Sequence, residues 1–600
     1  MESTPTVPLR SERDPADCWD LSSLFAQDQA WEEMFTAWES RIPQYSRFAG
    51  RLAEGPHILA EALDFHMHME RTGERLGVYA FLKSAEDTAN STYQRMHGRY
   101  LGAASRAAQA ASFLRPEILA VPDALLASML ADERLAPYRL LIERIVREKP
   151  HILSEREERL LALGTEMAQT ANHAFRQLHD ADLRFGTVTD ERGQPLELTH
   201  ATYVTLLHSP SREVRAAAFH QYNRQYEAHR HTLAATLAGA IQRDVFYARA
   251  RNFRSSLEAA LFADNIPLAV YDNLIASVRR HLPALHRYYE VRRQKMGLEE
   301  LHAYDTYVPI LAEMQSHHTW DQAVDVVLAA LAPLGSEYCG ELGRGLRGRW
   351  CDRYENRGKQ SGAFSAGSYD GDPYILMNYQ PRVLDHVFTL AHEAGHSMHS
   401  LLSARHQPFQ YYNYSIFVAE VASTFNEELL SRYLLSQASD PRQRAYLINR
   451  QIDAMRSTIF RQTMFAEFEK TTHELAEANE PLTVDRFQEV YRDLLAAYGG
   501  PALTLDDALS LECLRIPHFY QAFYVYQYAT GMSAAIALAD RVLSGGPREL
   551  DAYLGFLRGG CSKWPLELLR DAGVDLERPE PIDRALDRFA ELVEELDTLL

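Results

Sequence analysis

Apolar residues recur at three- and four-residue steps between positions 387 and 402. This spacing is the period of an α-helix that buries one face. The residues that carry the pattern are Val387, Leu390, Ala391, Ala394, Met398, Leu401 and Leu402. The pattern predicts a helix that packs against the core along one side, so that the polar residues of the same stretch lie at the edge of that core.

The same helical period dominates the chain from about residue 20 to residue 180. It is carried there by Ile58, Ala62, Phe65, Met69, Leu76, Tyr79 and Ala80, among others. Ser154 followed by Glu157 has the spacing of a capping box, which predicts the start of a helix that continues through Met167. Residues 201 to about 345 are again helical in pattern, with breaks at residues 209–211 and 303–307.

Two stretches depart from the helical period. Residues 183–198 alternate apolar and polar positions on both sides of a turn at residues 190–193, which predicts a β-hairpin. Residues 362–379 mix three glycines with tyrosines and aliphatic residues, which predicts a second, short hairpin with an exposed edge. Such an edge can hold an extended peptide through backbone hydrogen bonds.

Composition narrows the class of protein. The chain has 600 residues, of which 46% are hydrophobic, and this is enough for an extensive core. A net charge of −20 argues against a nucleic acid as partner. No run of 18 apolar residues and no secretory signal is present, so we expect no membrane association. Five scattered cysteines without a Cys-x-x-Cys pair indicate reduced thiols and a cytoplasmic location.

The predicted helix at residues 387–402 contains a His-Glu-x-x-His motif. His392 and His396 are one turn apart on the same face, so their imidazoles can converge on one metal ion. Glu393 projects at a different angle, as does the general base of zinc peptidases. A chance occurrence of this motif in a histidine-rich chain is the alternative, and a third ligand at a suitable place would decide between the two.

Three positions compete for the third ligand. His399 lies about 10 Å along the helix axis from His392, too far to share one metal with both histidines. The elongated motif that ends in a third histidine fails because position 402 is leucine. Glu420, on a following apolar helix, remains, since a carboxylate among apolar residues is costly unless it is paired or binds a cation. Glu427 and Glu428 are interpreted as solvated or as supporting residues.

The segments 392–399 and 419–423 resemble the zinc oligopeptidases of the thimet oligopeptidase group. The most similar branch is the bacterial oligoendopeptidase F. Further similarity extends over most of the chain, at residues 19–21, 358–364, 373–379, 515–520, 523–531, 559–560 and 572–575.

This resemblance implies a mainly α fold, a large helical zinc-peptidase fold with a deep central channel and a small β-hairpin or sheet beside the metal helix. The implied organisation is an N-terminal helical lobe at residues 1–200, a catalytic metallopeptidase domain at 201–586 and a C-terminal helical tail at 587–600. One Zn²⁺ per chain would be held by His392, His396 and Glu420, with Glu393 as the general base.

The resemblance also implies a substrate and the residues that bind it. Short unstructured peptides would be cleaved at internal bonds, with the backbone near Gly362 and Ala363 holding the substrate strand. His518 and Tyr526 would stabilise the oxyanion that forms during hydrolysis.

The tyrosines of residues 518–528 have two interpretations. Tyr520 and Tyr524 are expected to bind substrate, and which tyrosine points at the metal is left open. Without the family resemblance, the alternative interpretation is favoured, because aromatic residues at helical spacing more often pack in the core.

The sequence leaves two other functions open. A peptidyl-dipeptidase of the same family would need a fixed cation for the terminal carboxylate of its substrate. A peptide-binding protein without activity would lack a ligand or the base, whereas all four residues are present here. The sequence does not indicate the oligomeric state.

Overall fold

A computed structural model describes residues 7–311 and 316–600. The chain forms two compact units that interleave along the sequence. Unit 1 consists of Met1–Pro150, Gln315–Tyr433 and Leu538–Gly573, and unit 2 consists of His151–Met314, Leu434–Ala537 and Val574–Leu600. The sequence predicted three consecutive segments, with boundaries at residues 200 and 586, and that division stays a prediction.

Helices account for most of the described residues, which confirms the predicted fold class. In chain order they are α1 (Asp28–Arg41), α2 (Pro56–Glu86), α3 (Ser91–Ala111), α4 (Leu114–Ala120), α5 (Asp123–Leu130), α6 (Arg139–Val146), α7 (Glu155–Leu163), α8 (Thr165–Ala168), α9 (Thr170–Arg176), α10 (His200–Leu207), α11 (Arg212–Ala228), α12 (Arg230–Ala250), α13 (Ser256–Phe262), α14 (Leu268–Lys295), α15 (Trp320–Ala330), α16 (Gly335–Arg347), α17 (Asp385–His406), α18 (Phe409–Tyr412), α19 (Ile416–Gln437), α20 (Pro441–Met455), α21 (Arg461–Glu477), α22 (Val484–Gly499), α23 (Tyr526–Ser544), α24 (Pro547–Arg558), α25 (Pro565–Asp571) and α26 (Glu580–Leu599). The expected channel stays a prediction.

The strands are short and form three small sheets among the described residues. They are β1 (Thr187–Thr189), β2 (Pro195–Glu197), β3 (Leu301–His302), β4 (Cys351–Asp352), β5 (Phe364–Ala366), β6 (Tyr374–Leu376) and β7 (Leu503–Thr504). Strands β1 and β2 pair antiparallel, and so do β5 and β6, which confirms both predicted hairpins. β3 pairs parallel with β7, and β4 pairs parallel with β6. β6 is therefore the central strand of its sheet, and β5 lies at one edge.

The core of unit 1 joins its N-terminal helices to this three-stranded sheet. Trp31 is fully buried, and its indole N–H donates to the carbonyl of Leu76 on α2 at 2.9 Å. Tyr374 and Leu376 of β6 belong to the same buried cluster. The sheet is thus fixed to a rigid helical layer, which holds the edge strand β5 in place.

The core of unit 2 is built around α14, which packs along α26. Residues of α26 are buried at three- and four-residue steps, including Ile582, Leu586 and Phe589. Residues 587–599, predicted as a helical tail, are thus the second half of this helix. Tyr271 of α14 donates to the carbonyl of Ala466 on α21 at 2.7 Å, which satisfies its buried hydroxyl.

Local sequence signals account for several boundaries. Ser154 and Glu157 form the predicted capping box, with the serine side chain accepting from the backbone N–H of Glu157. The helix that follows ends at Leu163 and a separate short helix contains Met167, so the predicted single helix was wrong. Gly164 lies between the two, and glycine is a poor residue for the interior of a helix.

Two further findings concern the cysteines and the length of the apolar helices. None of the five cysteines forms a disulfide bond. Within the described part of the chain, no single helix has both the length and the apolar composition needed to cross a membrane. The pair Trp320–Ala330 and Ala332–Arg347 meets that criterion only when the two are taken together, across a bend of 54°.

Candidate metal centre

Helix α17 carries the His-Glu-x-x-His motif in unit 1. Its predicted apolar face is buried, and the side chains of Leu390, Ala394 and Met398 have no exposed surface. His392 and His396 lie beside this face with their ring centroids 4.9 Å apart, and both are half-buried. The predicted helix and its buried stripe are confirmed, and the two imidazoles lie side by side at the edge of the core.

Helix α19 brings Glu420 to the two histidines. Its Oε2 lies 3.3 Å from Nε2 of His392 and 3.5 Å from Nε2 of His396. Ser423 fixes this carboxylate by donating a hydrogen bond to Oε2 at 3.0 Å. All three candidate ligand atoms lie within 4.8 Å of one another. The structure therefore brings together the three residues that the sequence selected.

This donor set fits a divalent cation such as zinc. In a tetrahedral site with bonds of about 2.1 Å, neighbouring ligand atoms are about 3.4 Å apart. The two measured separations from Glu420 match that spacing. Burial alone would raise the pKa of Glu420, but hydrogen bonds from His392 and His396 hold it well below its usual range. The carboxylate is thus charged and suited to bind a cation.

Gly395 sets the distance between the two helices that carry the ligands. A Cβ atom at this position would lie 2.5 Å from the carbonyl oxygen of Ala422 and 2.6 Å from the Cα atom of Ser423. Both are backbone atoms of α19, which cannot move aside as a flexible side chain can. Only glycine therefore allows α17 and α19 to approach closely enough for the histidines to meet Glu420.

A Gly395→Ala variant is expected to lose about 1 to 3 kcal/mol of unfolding free energy, the usual cost of overpacking a core. It is also expected to bind its metal more weakly, because the added methyl group pushes α19 away from α17. Urea denaturation and metal content measure the two effects. Gly340→Ala on α16 is the matched control, since a Cβ there meets nothing within 4 Å. Equal stability of both variants would contradict the role of Gly395.

Glu427 orients the first histidine. Its Oε1 lies 2.7 Å from Nδ1 of His392, so the other ring nitrogen faces Glu420. Burial would lower the pKa of His392, but hydrogen bonds to Glu420 and Glu427 raise it to about 10. The sequence left Glu427 between a solvated and a supporting role. Its spacing in the sequence could have indicated the supporting role. Glu427 follows Glu420 by seven residues, which is two helical turns, so the two side chains lie on the same face of the helix.

Glu393 is the buried carboxyl of the site, with 7% of its surface exposed. Burial raises its pKa, and the neighbouring His392 and His396 only partly offset this effect. The backbone N–H of Ser365, on the edge strand β5, donates to its carboxylate. A carboxyl group with a raised pKa can both accept and return a proton near neutral pH.

The hairpin lies directly beside α17. Ser365 of β5 shares a hydrogen bond of 2.8 Å with Ser397 of α17. Gly362 and Ala363 immediately precede β5, and Gly362 has a φ of +84°, a conformation that favours glycine. Asn378 donates to the carbonyl of Gly362 at 2.9 Å. This loop is fixed next to the site, and its role in binding a peptide strand stays a prediction.

The aromatic segment 518–528 lies in unit 2 and divides into two groups. Tyr520 is a core residue, since its ring stacks on Phe175 at 4.2 Å and its hydroxyl lies 2.7 Å from Oγ1 of Thr236. Tyr526 is also buried and packs against Tyr271 at 5.1 Å. Both therefore have packing roles, and their predicted roles with substrate stay predictions.

The second group of this segment is more accessible. His518 is exposed, and its ring centroid lies 6.4 Å from those of both Tyr524 and Tyr528. The two tyrosine rings contact each other edge to face at 5.4 Å. The sequence did not single out Tyr528, which lies in the first turn of α23, whereas Tyr524 precedes that helix.

A second histidine cluster in unit 2 is less suited to a metal. His179, Asp180 and His200 lie within reach of one another. However, the two imidazoles stack in parallel at 4.2 Å, and both nitrogens of His200 are engaged, with the hydroxyl of Tyr222 at 2.7 Å and the carbonyl of His179 at 2.9 Å. Among the residues the structure describes, the donor set around Glu420 is the better metal site.

The fold and the site together define a class, the helical metal-dependent hydrolases with a His-Glu-x-x-His centre. The sequence profile of peptidase family M3 matches residues 205–588, and a second profile, described as Oligopeptidase F, matches residues 117–185. The chain belongs to peptidase family M3. Membership confirms the resemblance found in the sequence and makes the protein a peptidase of a family that uses a divalent metal.

Relatives cover nearly the whole chain. Oligopeptidase PepF of Bacillus subtilis is 44% identical over 596 residues, covering 99% of this chain and 89% of the relative. The crystal structure of oligoendopeptidase-F from Enterococcus faecium is 37% identical, with a TM-score of 0.74 over 95% of this chain and 99% of that one. A solved structure from Chlamydophila abortus is 36% identical, with a TM-score of 0.94 over 99% of this chain and 100% of that one.

Proposed function

We propose that this peptidase is a zinc-dependent oligoendopeptidase that hydrolyses internal bonds of short, unstructured peptides. The observation that carries the proposal is the position of Glu420, whose Oε2 lies within 3.5 Å of an imidazole nitrogen of both His392 and His396. The relatives support the same activity, since they are named oligopeptidases and oligoendopeptidases.

His392, His396 and Glu420 would hold one zinc ion per chain. Two nitrogen donors and one carboxylate are a ligand set found in catalytic zinc sites, which leave one further position open. When bound, zinc supplies Lewis acidity that polarises the scissile carbonyl and makes a neighbouring water molecule more acidic. Glu427 keeps His392 in the orientation that this binding needs.

Glu393 is the proposed general base. Its carboxylate takes the proton from the water molecule that attacks the scissile carbonyl, and then returns it to the amine that leaves. The N–H of Ser365 holds this carboxylate in place while its protonation changes. The backbone near Gly362 and Ala363 would pair with the extended substrate, as an added strand does at a sheet edge.

His518 is proposed as a donor to the oxyanion, together with a tyrosine of the same segment. The sequence favoured Tyr526. The cluster of the exposed His518 with the partly buried Tyr524 and Tyr528 supports one of these two tyrosines over the fully buried Tyr526, because a hydroxyl that serves a substrate must be accessible to it. This assignment rests on the segment's own geometry and on its resemblance to the family.

Peptides with both ends blocked distinguish an oligoendopeptidase from a peptidyl-dipeptidase and from a peptide-binding protein. An internally quenched peptide of about ten residues, acetylated and amidated, is expected to be cleaved at an internal bond. Treatment of the enzyme with a chelator is expected to stop this cleavage, and added zinc is expected to restore it. Mass spectrometry identifies the products. Release of C-terminal dipeptides from free peptides only would favour a peptidyl-dipeptidase, and tight binding without cleavage would favour a binding protein. The cytoplasmic location stays a prediction.

A further inference from the structure

Unit 2 contains a cavity, lined by apolar and charged side chains, that the proposed peptidase chemistry does not use. Its volume is about 70 Å³, which is room for several water molecules. It lies among α11, α14, α21, α22 and the segment Asp507–Leu514. The charged residues of its lining are three arginines, Arg456, Arg461 and Arg515, and one glutamate, Glu512.

The carboxylates of this region are shared among more arginines than they can neutralise. Glu512 accepts from Arg461 at 2.8 Å, from Arg515 and from the hydroxyl of Tyr491 at 2.6 Å. Burial would raise the pKa of Glu512, but the two guanidinium groups lower it to about 2. The glutamate is therefore a full negative charge, yet it balances only one of its two arginine partners.

Arg456 does not restore the balance. Its Nε lies 3.2 Å from Asp453, which also lies 3.8 Å from the buried Arg292. Asp305 is likewise divided between two arginines, Arg212 and Arg215. Six arginines in this part of unit 2 thus contact three carboxylates. Buried charge that is not compensated is costly, and a bound anion would remove that cost.

The backbone turns two of the arginines into the cavity. Arg456 and Arg461 are five residues apart, which on an α-helix would separate their directions by about 140°. The intervening residues, Arg456–Phe460, form a π-helical turn, in which residues five apart come to the same side. π-Helical turns inside α-helices occur frequently at functional sites.

Hydrogen-bond donors also line the cavity. Within residues 7–311 and 316–600, the buried Nε of Arg515 makes no hydrogen bond. Tyr289 and Tyr307 line the same space and carry hydroxyl groups that can donate. Three arginine cations and these donors therefore surround a space suited to a small acceptor.

We propose that this cavity binds a small inorganic oxyanion of the phosphate class, held by Arg456, Arg461 and Arg515 with the Tyr307 hydroxyl as a further donor. The planar guanidinium groups match the paired oxygens of an oxyanion better than they match a halide. The anion neutralises the excess charge and thereby stabilises unit 2, because a ligand that binds only the folded state shifts the unfolding equilibrium.

Phosphate titration of the zinc-loaded, full-length enzyme tests the proposal. At constant ionic strength, with sodium chloride replaced stepwise by sodium phosphate, calorimetry is expected to show one saturable site per chain and the thermal midpoint is expected to rise. The proposal is overturned if calorimetry finds no saturable site, or if the thermal midpoint is as high in sodium chloride alone as it is in sodium phosphate.

Tyr307→Phe is the most informative variant because it removes one hydroxyl group from the cavity lining and keeps the aromatic ring. We expect phosphate to bind about tenfold more weakly, which is the loss of one hydrogen bond to a charged group. Arg456→Gln is expected to weaken it further. Arg254→Gln is the matched control, an exposed arginine of the same unit paired with Glu258. If Tyr307→Phe and Arg456→Gln bind phosphate as the wild type does, the anion binds elsewhere, for example at the zinc, and the proposal fails.

Discussion

A Glu393→Gln variant is expected to retain its fold and its metal and to lose peptide hydrolysis by a factor of about 10² to 10⁴, the range that a general base contributes. Glutamine has the same shape as glutamate and can still accept the hydrogen bond from the Ser365 N–H. It cannot take a proton from water at neutral pH. The measurement is the turnover of a quenched peptide, with zinc content determined on the same sample.

Asp385→Asn is the matched control for this result. It makes the same carboxylate-to-amide change on α17, two turns away and in an exposed position. We expect its turnover to stay close to that of the wild type. A Glu393→Gln enzyme that is fully loaded with zinc and retains more than about a tenth of wild-type turnover would show that another group accepts the proton.

Glu420→Ala is expected to weaken metal binding by more than about a hundredfold, which exceeds the 10- to 100-fold effect of residues that only orient a ligand. Removal of this carboxylate takes away the one anionic donor, so that no metal ligand comes from α19 and only the two imidazoles of α17 remain. Activity should fall with the metal. Competition with a fluorescent chelator measures the affinity, and circular dichroism confirms that the helices remain.

The matched comparison is Glu427→Gln on the same face of α19. Its amide oxygen can still accept from Nδ1 of His392, so the orientation is kept and only the charge is lost. We expect an affinity between those of the wild type and of Glu420→Ala. If Glu427→Gln loses more metal affinity than Glu420→Ala does, the two glutamates have exchanged roles and Glu427 is a ligand.

The local part of this site was predictable from the sequence. His392, Glu393 and His396 are placed by helix geometry alone, since a spacing of four residues fixes their common face. Glu420 required one further physical argument, the cost of burying an unpaired carboxylate. Both steps depend on properties of a few neighbouring residues, and the structure brings these residues together.

Other features depend on contacts between distant parts of the chain and could not be predicted. Tyr520 looked like a substrate residue within its aromatic segment, but its hydroxyl meets Thr236 on α12, which is remote in sequence. The role of Gly395 in the approach of α17 to α19 could not be predicted either, because it is one of several small residues in its segment. The two interleaved units are likewise invisible in the order of predicted helices, because compactness follows from packing and not from adjacency along the chain.

The same interleaving determines when the metal helix is completed during synthesis. Helix α17 packs against α24, and Phe425 of α19 stacks on Tyr553 of α24 at 3.9 Å. The ribosome makes α24 about 150 residues after α17, which takes roughly 8 to 30 s at usual elongation rates. A nascent chain therefore carries both histidines long before their surroundings exist. The packed surroundings of the two helices that carry the candidate ligands are therefore complete only in a nearly finished chain.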